Sequence, residues 1–466
     1  MAVAPQLPRA RAIVLSFWTL AALLAFVFVL GGSSREDTPT IILLRPLSAI
    51  ALTIGLMTLS AESVARYRRL LIGVGVLVAL MLVQVIPLPP VIWTALPGRD
   101  VAAQAAQVGG FPQPWRPIAM VPWRAWNTIF ALMAPVAAIV LAVQLDTRRR
   151  EHLVLVIIAL VILSMLWAAV QVAAGYPAGL QVHQQNIANV PLGFFANRNH
   201  FAALLACALP LMALVATAPT ENARFKAFRV AIAITLSAAM LLMSLLTGSR
   251  AGLVLALVAL LAVPLMLRTE RRGKRDRTRG VGRVVAIGFG VLLTVGVVAV
   301  AILFARAESV TRLTSLGSDE LRWQFWGPIL GMVWHYFPIG SGIGSFVEVY
   351  QVGEPQSVLG PTYLNHAHND AIEWALEAGL LGILLLAAAV IAWGRQAGRL
   401  MARSIQGDSN VLLARCGVVI TFVLGLASLV DYPLRTPALA CVFVISGVWM
   451  AGAGAGNRRV DRATVL

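Results

Sequence analysis

Charged residues are scarce in this sequence. Of its 466 residues, 12% are Asp, Glu, Lys or Arg, whereas 59% are hydrophobic. Soluble domains carry about 25% charged residues, so this scarcity excludes a chain of soluble domains and indicates a membrane protein. Cysteine is scarce as well, because Cys207, Cys416 and Cys441 each stand alone in an apolar run. That spacing excludes a disulfide framework and a thiolate metal site.

Acidic residues are the rarer of the two charged classes. There are 20 Asp and Glu residues against 37 Lys and Arg, which gives a formal net charge of +17. In a soluble protein such an excess would suggest nucleic-acid binding. In a membrane protein the basic residues must first be divided between the two faces of the bilayer. Their positions relative to the apolar runs are therefore the informative feature.

Twelve apolar runs are long enough to cross a bilayer, which takes about 20 residues in a helix. They cover residues 13–31, 41–59, 70–86, 126–145, 153–174, 200–218, 230–247, 251–268, 284–305, 369–393, 412–430 and 437–453. The first run follows Arg9 and Arg11 as a signal peptide would, but it is long and lacks a small-residue cleavage motif. We interpret it as a membrane anchor. The sequence thus predicts an all-α, polytopic membrane protein with about 12 transmembrane helices.

Basic residues cluster in alternate loops. The loops assigned to the inner face are short and contain most of the 37 Lys and Arg residues, including the run from Arg268 to Arg283. This imbalance is the positive-inside signal, and it predicts that both termini are cytoplasmic. We interpret the basic run as a topology determinant in contact with anionic membrane lipids, and not as a nucleic-acid site.

The long connecting segments fall on the outer face. They cover residues 87–125, 175–199 and 306–368, and the last is predicted to be ordered and to contain short helices of its own. Five of the six histidines also lie on this face or at its boundary. We therefore expect the chemistry of the protein at the outer face.

The densest cluster of titratable residues opens the tenth run. Asn365 to Asp370 reads Asn-His-Ala-His-Asn-Asp, and Glu373 and Glu377 follow it. A histidine at a helix start, oriented by a carboxylate, can act as a general base toward a hydroxyl group. The alternative is that Asn369 or Asp370 caps the helix and the histidines lie at the membrane interface. A zinc site is the weakest interpretation because a third clear ligand is missing.

Four arginines on the outer face oppose the topological bias: Arg198, Arg250, Arg322 and Arg435. Each alone is explained by snorkelling to lipid phosphates. Together, four guanidinium groups at neighbouring helix ends would form a metal-free site for a diphosphate. For Arg435 we also expect a structural ion pair with Asp431.

The segment from Pro338 to Phe346 is rich in glycine. It lacks the strand-turn-helix context of a dinucleotide site. We interpret it as a sharp turn or as a place where the backbone approaches a ligand closely.

Glu36 and Asp37 are adjacent acids in the first outer loop. Two neighbouring carboxylates can hold a divalent cation. A solvated acidic turn is the simpler interpretation, so we predict no metal site here.

Five motifs in a fixed order and on one face resemble the O-antigen ligase and O-antigen polymerase family. They are Gly193 to Ala202, Thr247 to Gly252, Arg322 with Trp326, Pro338 to Phe346, and His368 to Asp370 with Glu377 to Gly382. The resemblance covers roughly residues 185–450. It divides the chain into an N-terminal transmembrane region of about five spans (1–185), a ligase- or polymerase-like region that includes the outer loop (186–453), and a cytoplasmic tail (454–466).

The resemblance implies a GT-C-like glycosyltransferase of the bacterial inner membrane whose active site faces the periplasm. Its donor would be a glycan on undecaprenyl diphosphate. A ligase would pass the glycan to lipid A-core, and a polymerase would pass it to another lipid-linked glycan. Related chains also transfer glycans to proteins. We favour the ligase, although the residues do not separate it from a polymerase.

The resemblance also implies roles for individual residues. His368 would be the general base, while Arg250 and Arg322 would bind the diphosphate and stabilise its developing charge. The reaction would invert the anomeric centre and need no metal ion or cofactor. We expect further substrate contacts from Arg198, Asn199, His366, Asn369 and Arg435, and we expect Asp370 and Glu377 to orient an imidazole. Because His366 is so close to His368, either histidine could be the base.

A transporter or flippase for a lipid-linked or anionic solute is the competing function. In that case the outer arginines would bind cargo. The sequence contains no internal or inverted repeat and no line of charges through mid-span positions, both of which are common in transporters. The enzyme is therefore favoured.

Overall fold

The computed structural model describes residues 8–183, 189–268, 290–291, 295, 320–356, 359, 363–405 and 409–453, and of residues 320–324 only the backbone. Helices form its regular structure. The described residues contain one isolated β-bridge, between Leu88 and Arg116, and no strand. The all-α prediction is confirmed.

Seventeen α-helices are numbered here in chain order along these segments. They are α1 (Arg9–Leu30), α2 (Ile41–Thr58), α3 (Ala61–Arg66), α4 (Arg68–Val83), α5 (Pro90–Trp93), α6 (Asp100–Val108), α7 (Pro122–Ala131), α8 (Met133–Ala142), α9 (Thr147–Ala173), α10 (Arg198–Thr217), α11 (Ala223–Leu246), α12 (Arg250–Met266), α13 (Glu320–Tyr336), α14 (Phe346–Gly353), α15 (Asp370–Ala402), α16 (Ser409–Ala427) and α17 (Pro437–Gly452). Short 3-10 helices cover Ala178–Leu180 and Pro433–Arg435.

Eight helical segments of the described chain are long and apolar enough to cross a membrane: α1, α2, α7 with α8, α9, α10, α11, α15 and α16. Helices α12 and α17 are apolar but shorter, and the predicted span 70–86 coincides with the 16-residue α4. The predicted span 284–305 lies almost wholly outside the described residues. The protein is therefore a multi-pass membrane protein, while the total of twelve spans stays a prediction.

Polar side chains cap the N-termini of several helices, among them α10, α12 and α15. The side-chain oxygens of Asn197, Ser249 and Asn369 accept hydrogen bonds from backbone N–H groups in the first turns of α10, α12 and α15, respectively. These bonds satisfy donors that a helix leaves unpaired at its N-terminus. The three caps place Arg198, Arg250 and Asp370 at the first helical positions.

The loops that were predicted to lie outside meet at one end of the helices, which we call the outer end. Ala196 N donates to Gly32 O at 3.0 Å, which joins the first outer loop to the loop before α10. Asp370 N donates to Ser428 O at 2.9 Å and joins the start of α15 to the end of α16. Arg124 on α7 forms an ion pair with a carboxylate of the first outer loop at 3.2 Å.

The loops that were predicted to lie inside meet at the opposite end, which we call the inner end. Arg9 pairs with Glu62 at 2.8 Å, and Thr147 Oγ1 donates to Asn410 Oδ1 at 3.1 Å. Arg403, just after α15, donates to a backbone carbonyl just after α17. The predicted grouping of the loops is thus reproduced, whereas the side of the membrane that each end faces stays a prediction.

Helices α10 and α16 form the centre of the protein. Of their apolar windows, 72% and 78% of residues are buried. Alanines make close packing of α10 feasible: a Cβ atom at Gly252 of α12 would lie 2.2 Å from the Cβ of Ala202. Small residues at such crossings bring helix backbones together in membranes. The packing holds the starts of α10 and α12 side by side at the outer end.

The glycine-rich segment makes a sharp turn against a break in α15. Gly379 has φ 59° and ψ −150°, which interrupts the helix, and Leu380 N donates instead to Pro338 O at 2.8 Å. Gly340 fits here because a Cβ atom would lie 2.6 Å from Glu377 O. The interpretation of the segment as a turn is confirmed, and the surface that it approaches closely is the backbone of α15.

Candidate functional site

The turn before α15 presents His368 at the outer end. Asn369 Oδ1 accepts from two N–H groups of the first turn, at 3.0 and 3.1 Å, and its Nδ2 donates to Leu429 O at 2.9 Å. The cap interpretation is therefore right for Asn369, whose amide is occupied on both sides. His368 adopts φ 50°, a left-handed conformation that is uncommon for residues other than glycine.

His368 contacts a buried carboxylate from the far end of the chain. Its Nδ1 lies 3.2 Å from Oδ1 of Asp431, which follows α16. The His368 side chain is 19% exposed and that of Asp431 is 3% exposed. Because the carboxylate accepts the Nδ1 hydrogen, the geometry favours the tautomer whose Nε2 is a proton acceptor.

Asp431 is held by several donors besides this imidazole. Its backbone neighbour Tyr432 N donates to Oδ1 at 3.0 Å, and Asn199 Nδ2 donates to Oδ2 at 2.7 Å. Burial raises the pKa of Asp431, but the imidazoles of His200 and His368 outweigh burial and hold the pKa well below its ordinary value. The carboxylate is therefore a fixed negative charge beside His368.

Three imidazoles surround the ring of Tyr432. The ring centroids of His200, His366 and His368 lie 5.0, 4.3 and 4.9 Å from that of Tyr432. His200 is 2% exposed, and neither of its ring nitrogens makes a hydrogen bond within the described part of the chain. Its Nε2 lies 3.7 Å from Asp431 Oδ1. All three histidines thus pack against one aromatic ring.

The arginine-bearing helix starts lie next to this cluster. Ser249 Oγ, which caps the helix of Arg250, donates to Asn199 Oδ1 at 2.7 Å. Asn199 directly follows Arg198 at the start of α10 and reaches Asp431 with its amide nitrogen. Arg198 and Arg250 are both half-buried. Two of the four predicted arginines therefore lie on helix starts that are connected to Asp431, directly for α10 and through Asn199 for α12.

Arg322 lies on α13, but its side chain is outside the described residues. The same helix approaches the site through Trp326, whose Nε1 donates to Ala367 O at 3.1 Å. The expected contact of Arg322 with a diphosphate stays a prediction.

Arg435 has a different environment from the one predicted. Its guanidinium lies 3.1 Å from Glu373, 3.4 Å from Glu377 and 3.5 Å from Asp370, all on the first turns of α15. Burial alone would lower the pKa of Arg435, but the surrounding carboxylates raise it. The expected pair with Asp431 is wrong, because Asp431 takes the histidines instead. Arg435 neutralises buried carboxylates.

The carboxylates that contact imidazoles are not the expected ones. Asp370 and Glu377 face Arg435, whereas Glu373 Oε1 lies 2.9 Å from Nδ1 of His366. Glu373 Oε2 accepts from the backbone between the two histidines at 2.8 Å. Burial lowers the pKa of His366, although Glu373 opposes the shift. The imidazole partners are thus Glu373 for His366 and Asp431 for His368.

The acids of the first outer loop are paired with arginines. Glu36 lies 3.2 Å from Arg124, and Arg35 donates from Nε to Asp37 at 2.9 Å. Burial raises the pKa of Glu36, and Arg124 opposes the shift. No group of three or more His, Cys, Asp or Glu residues that could hold a metal ion occurs in the part of the chain that the structure describes. Both carboxylates therefore have cationic partners of their own.

Sequence reasoning missed Asp431 as the partner of His368. The two residues are 63 positions apart, so no local spacing indicates the contact. The available signal was the cost of an acid at the end of an apolar run, which usually requires a partner.

Comparison with protein families identifies one segment of the chain. Residues 235–387 match the family model described as O-Antigen ligase. The matched segment includes Arg250, Arg322, the glycine-rich turn, both site histidines and the carboxylates of α15, and it ends before Asp431. No curated protein matches the chain. The family match confirms the resemblance of this chain to the O-antigen ligase and polymerase family.

Proposed function

We propose that this protein is a glycosyltransferase of the bacterial inner membrane that moves a glycan from undecaprenyl diphosphate to a hydroxyl group of lipid A-core. The observation that carries the proposal is the pair formed by His368 and Asp431 beside the helix starts of Arg198 and Arg250. The match of residues 235–387 to the O-Antigen ligase model supports it independently.

His368 is the general base in this proposal. Asp431 holds Nδ1, so Nε2 takes the proton of the acceptor hydroxyl as its oxygen bonds to the anomeric carbon of the donor sugar. The bond between that carbon and the phosphate oxygen breaks, and its electron pair leaves with the diphosphate. A single displacement of this kind inverts the anomeric centre. The fixed charge of Asp431 stabilises the imidazolium that forms.

The arginines of the helix starts bind the diphosphate in this proposal. Arg250 and Arg198 occupy the first positions of α12 and α10, where backbone N–H groups and the helix dipole favour an anion. A guanidinium fork pairs with two phosphate oxygens at once. The proposal gives the same role to Arg322 of α13. The cations that stabilise the leaving group are thus side chains, and the proposal requires no metal ion.

Replacement of His368 by Asn tests the base. Asn tolerates the left-handed backbone of this position better than most residues, so the variant keeps the turn and loses the imidazole. We expect no polysaccharide attachment in cells that carry it, with unchanged protein level and membrane insertion. His335→Asn is the matched control, because His335 is an exposed histidine at the end of α13. Full activity of His368→Asn in a reconstituted assay would refute the mechanism.

Replacement of Arg250 by Lys tests the diphosphate contact. A point charge cannot reproduce a planar fork, so we expect severe impairment despite the retained charge. Activity should survive a chelator. Loss of activity with rescue by manganese would contradict the metal-free proposal and point to Glu36 and Asp37.

Envelope glycolipids of a deletion strain distinguish the acceptors. Lipid A-core without polymer, together with full-length polymer on the carrier lipid, is the result expected for a ligase. Single capped repeats would show a polymerase of the same family instead. Intact glycolipids would overturn the proposal and favour transport.

A further inference from the structure

A chain of side-chain hydrogen bonds connects the start of α12 to His368. Ser249 Oγ donates to Asn199 Oδ1 at 2.7 Å, and Asn199 Nδ2 donates to Asp431 Oδ2 at 2.7 Å. The other carboxylate oxygen, Oδ1, lies 3.2 Å from His368 Nδ1. Four side chains from α12, α10, the turn after α16 and the turn before α15 are thus joined in series.

The direction of this chain is determined by the carboxylate of Asp431. An ionised carboxylate only accepts hydrogen bonds, so Asn199 turns its NH2 group to Asp431 and its oxygen to Ser249. Ser249 Oγ accepts from Gly252 N at 2.9 Å and donates its own hydrogen to the oxygen of Asn199. The backbone of Asn199 is fixed as well, because its N–H donates to Asn197 Oδ1 at 2.8 Å. Asn199 is therefore held in one orientation by two helix caps.

We propose that Asn199 is a positioning residue of the transfer reaction, which holds Asp431 so that the carboxylate turns its other oxygen to His368. This inference rests on the proposed function. Since Asn199 lies on the helix start that carries Arg198 and bonds to the cap of Arg250, it also fixes the distance between the base and the diphosphate-binding helix starts. A residue that only stabilised α10 would leave the protonation of His368 unchanged.

Other charged and titratable groups lie next to this series of hydrogen bonds, and the test variants leave them unchanged. Asp431 and His368 are approached by His200 on α10, His366 in the turn before α15 and Asp370 on α15. The helix starts contribute Arg198 and Arg250. None of these groups is altered by the variants below, so a change of pH dependence reports the added charge alone.

Three Asn→Asp variants test the inference at different distances from Asp431. Asn199→Asp places a carboxyl group where the amide now lies 2.7 Å from Asp431, and Asn197→Asp does so at 3.3 Å. Asn222→Asp is the matched control, because Asn222 caps α11 at the inner end. Asp is as good a cap as Asn, so Asn197→Asp and the control keep their helix starts. Asn197→Asp keeps the test valid if Asn199→Asp does not fold.

The measurement is the pH profile of kcat for purified protein in lipid nanodiscs. The donor is undecaprenyl-diphosphate-linked glycan, the acceptor is the glycolipid extract of a deletion strain, and release of undecaprenyl diphosphate is followed by mass spectrometry. We expect kcat of Asn199→Asp to fall about tenfold or more at the optimum, the equivalent of about 1.4 kcal/mol. The KM for the donor should change less than kcat.

The pH profile of Asn199→Asp should also become narrower. If both carboxylates ionise, the added negative charge keeps the proton on His368 to higher pH and the acidic limb moves up. If the two carboxylates share one proton instead, they lose it as the pH rises. The two ionised carboxylates then repel each other, and the alkaline limb of the profile moves to lower pH. Asn197→Asp should show the same narrowing to a smaller extent, and Asn222→Asp should show none.

Profiles of wild-type width for both Asn199→Asp and Asn197→Asp would overturn the inference. If His368→Asn is inactive in the same assay, that result leaves the proposed function standing. Activity of His368→Asn would instead remove the proposed function, and the inference with it. A rise of the donor KM at unchanged kcat would show that Asn199 serves donor binding alone, which also overturns the positioning role.

Discussion

Arg415 offers a direct test of what holds the inner end together. It is 2% exposed on α16, and its guanidinium donates to backbone carbonyls at the ends of two other helices. The acceptors are Met266 O and Arg268 O at the end of α12, and Leu400 O, Met401 O and Arg403 O at the end of α15. A cation at helix C-termini is also favoured by the helix dipole.

The expected cost of replacing Arg415 follows from counting donors. A guanidinium has five N–H groups, and five carbonyls accept from it, at 2.6 to 3.0 Å for four of them. An ammonium has three, so Arg415→Lys loses at least two of these five hydrogen bonds. A hydrogen bond to a charged group contributes about 1.5–3 kcal/mol, which gives a loss of about 3–6 kcal/mol. Against a total stability of about 5–15 kcal/mol for a typical protein, that loss is large.

The assay is the fraction of detergent-purified protein that stays monodisperse after heating. We expect the midpoint temperature of Arg415→Lys to fall by several degrees, while Arg399→Lys, an exposed change on α15, should have no effect. Transfer activity per folded molecule should be unchanged, because Arg415 lies at the inner end. A midpoint equal to that of Arg399→Lys would refute the reasoning that the carbonyls depend on the fork.

Three further changes probe the outer end. Arg435→Met should destabilise the protein by about 3–5 kcal/mol, because it leaves the carboxylates of α15 buried without their cation, and protein yield and midpoint temperature measure this loss. Gly379→Ala should cost about 3 kcal/mol or more, since its φ of 59° suits glycine and a Cβ atom would lie 2.3 Å from Pro338 O. Gly398→Ala, with open space at its Cβ, is the control and should be neutral or slightly stabilising. For Asp431 the pKa is lowered in the folded state, so its ionised form stabilises the fold above about pH 4 and this stability is lost as the pH falls further. The midpoint difference between wild type and Asp431→Asn should therefore be constant at neutral pH and shrink below about pH 4.

The sequence predicts the long apolar helices of the described residues and the grouping of their loops well, because these depend on composition and on local order. Apolar runs of sufficient length can only be helices in a bilayer, and the alternation of basic and long loops determines which loops share an end. The cap at Asn369 is also a local feature, since an amide two residues before a backbone N–H reaches it directly. The hydrophobic run 70–86 extends past the end of α4 at Val83, because its last residues belong to the turn that leads into the outer segment.

The partners of the charged side chains could not be predicted in the same way. His368 and Asp431 are 63 residues apart, and Arg435 is 58 residues from Glu377, the nearest glutamate in sequence that it contacts. Sequence shows that an acid at the end of an apolar run needs a partner, but not which cation supplies it. Asp431 and Arg435 are four residues apart, which suggested a local pair. The turn between them sends the carboxylate toward α10 and the guanidinium toward α15.

His366 and His368 each contact a carboxylate, and the two carboxylates differ in their other contacts. His366 contacts Glu373, which is 1% exposed and whose oxygens also face a backbone N–H and Arg435. The pair of His366 and Glu373 therefore belongs to the buried carboxylate cluster of α15 that Arg435 neutralises. His368 contacts Asp431, whose remaining oxygen leads through Asn199 to the helix starts of the arginines. In the proposed inverting transfer the base lies beside the acceptor hydroxyl, across the anomeric carbon from the diphosphate. Because the partner of His368 is connected to the helix starts proposed to bind that diphosphate, we favour His368 as the base, while His366 anchors the turn that presents it.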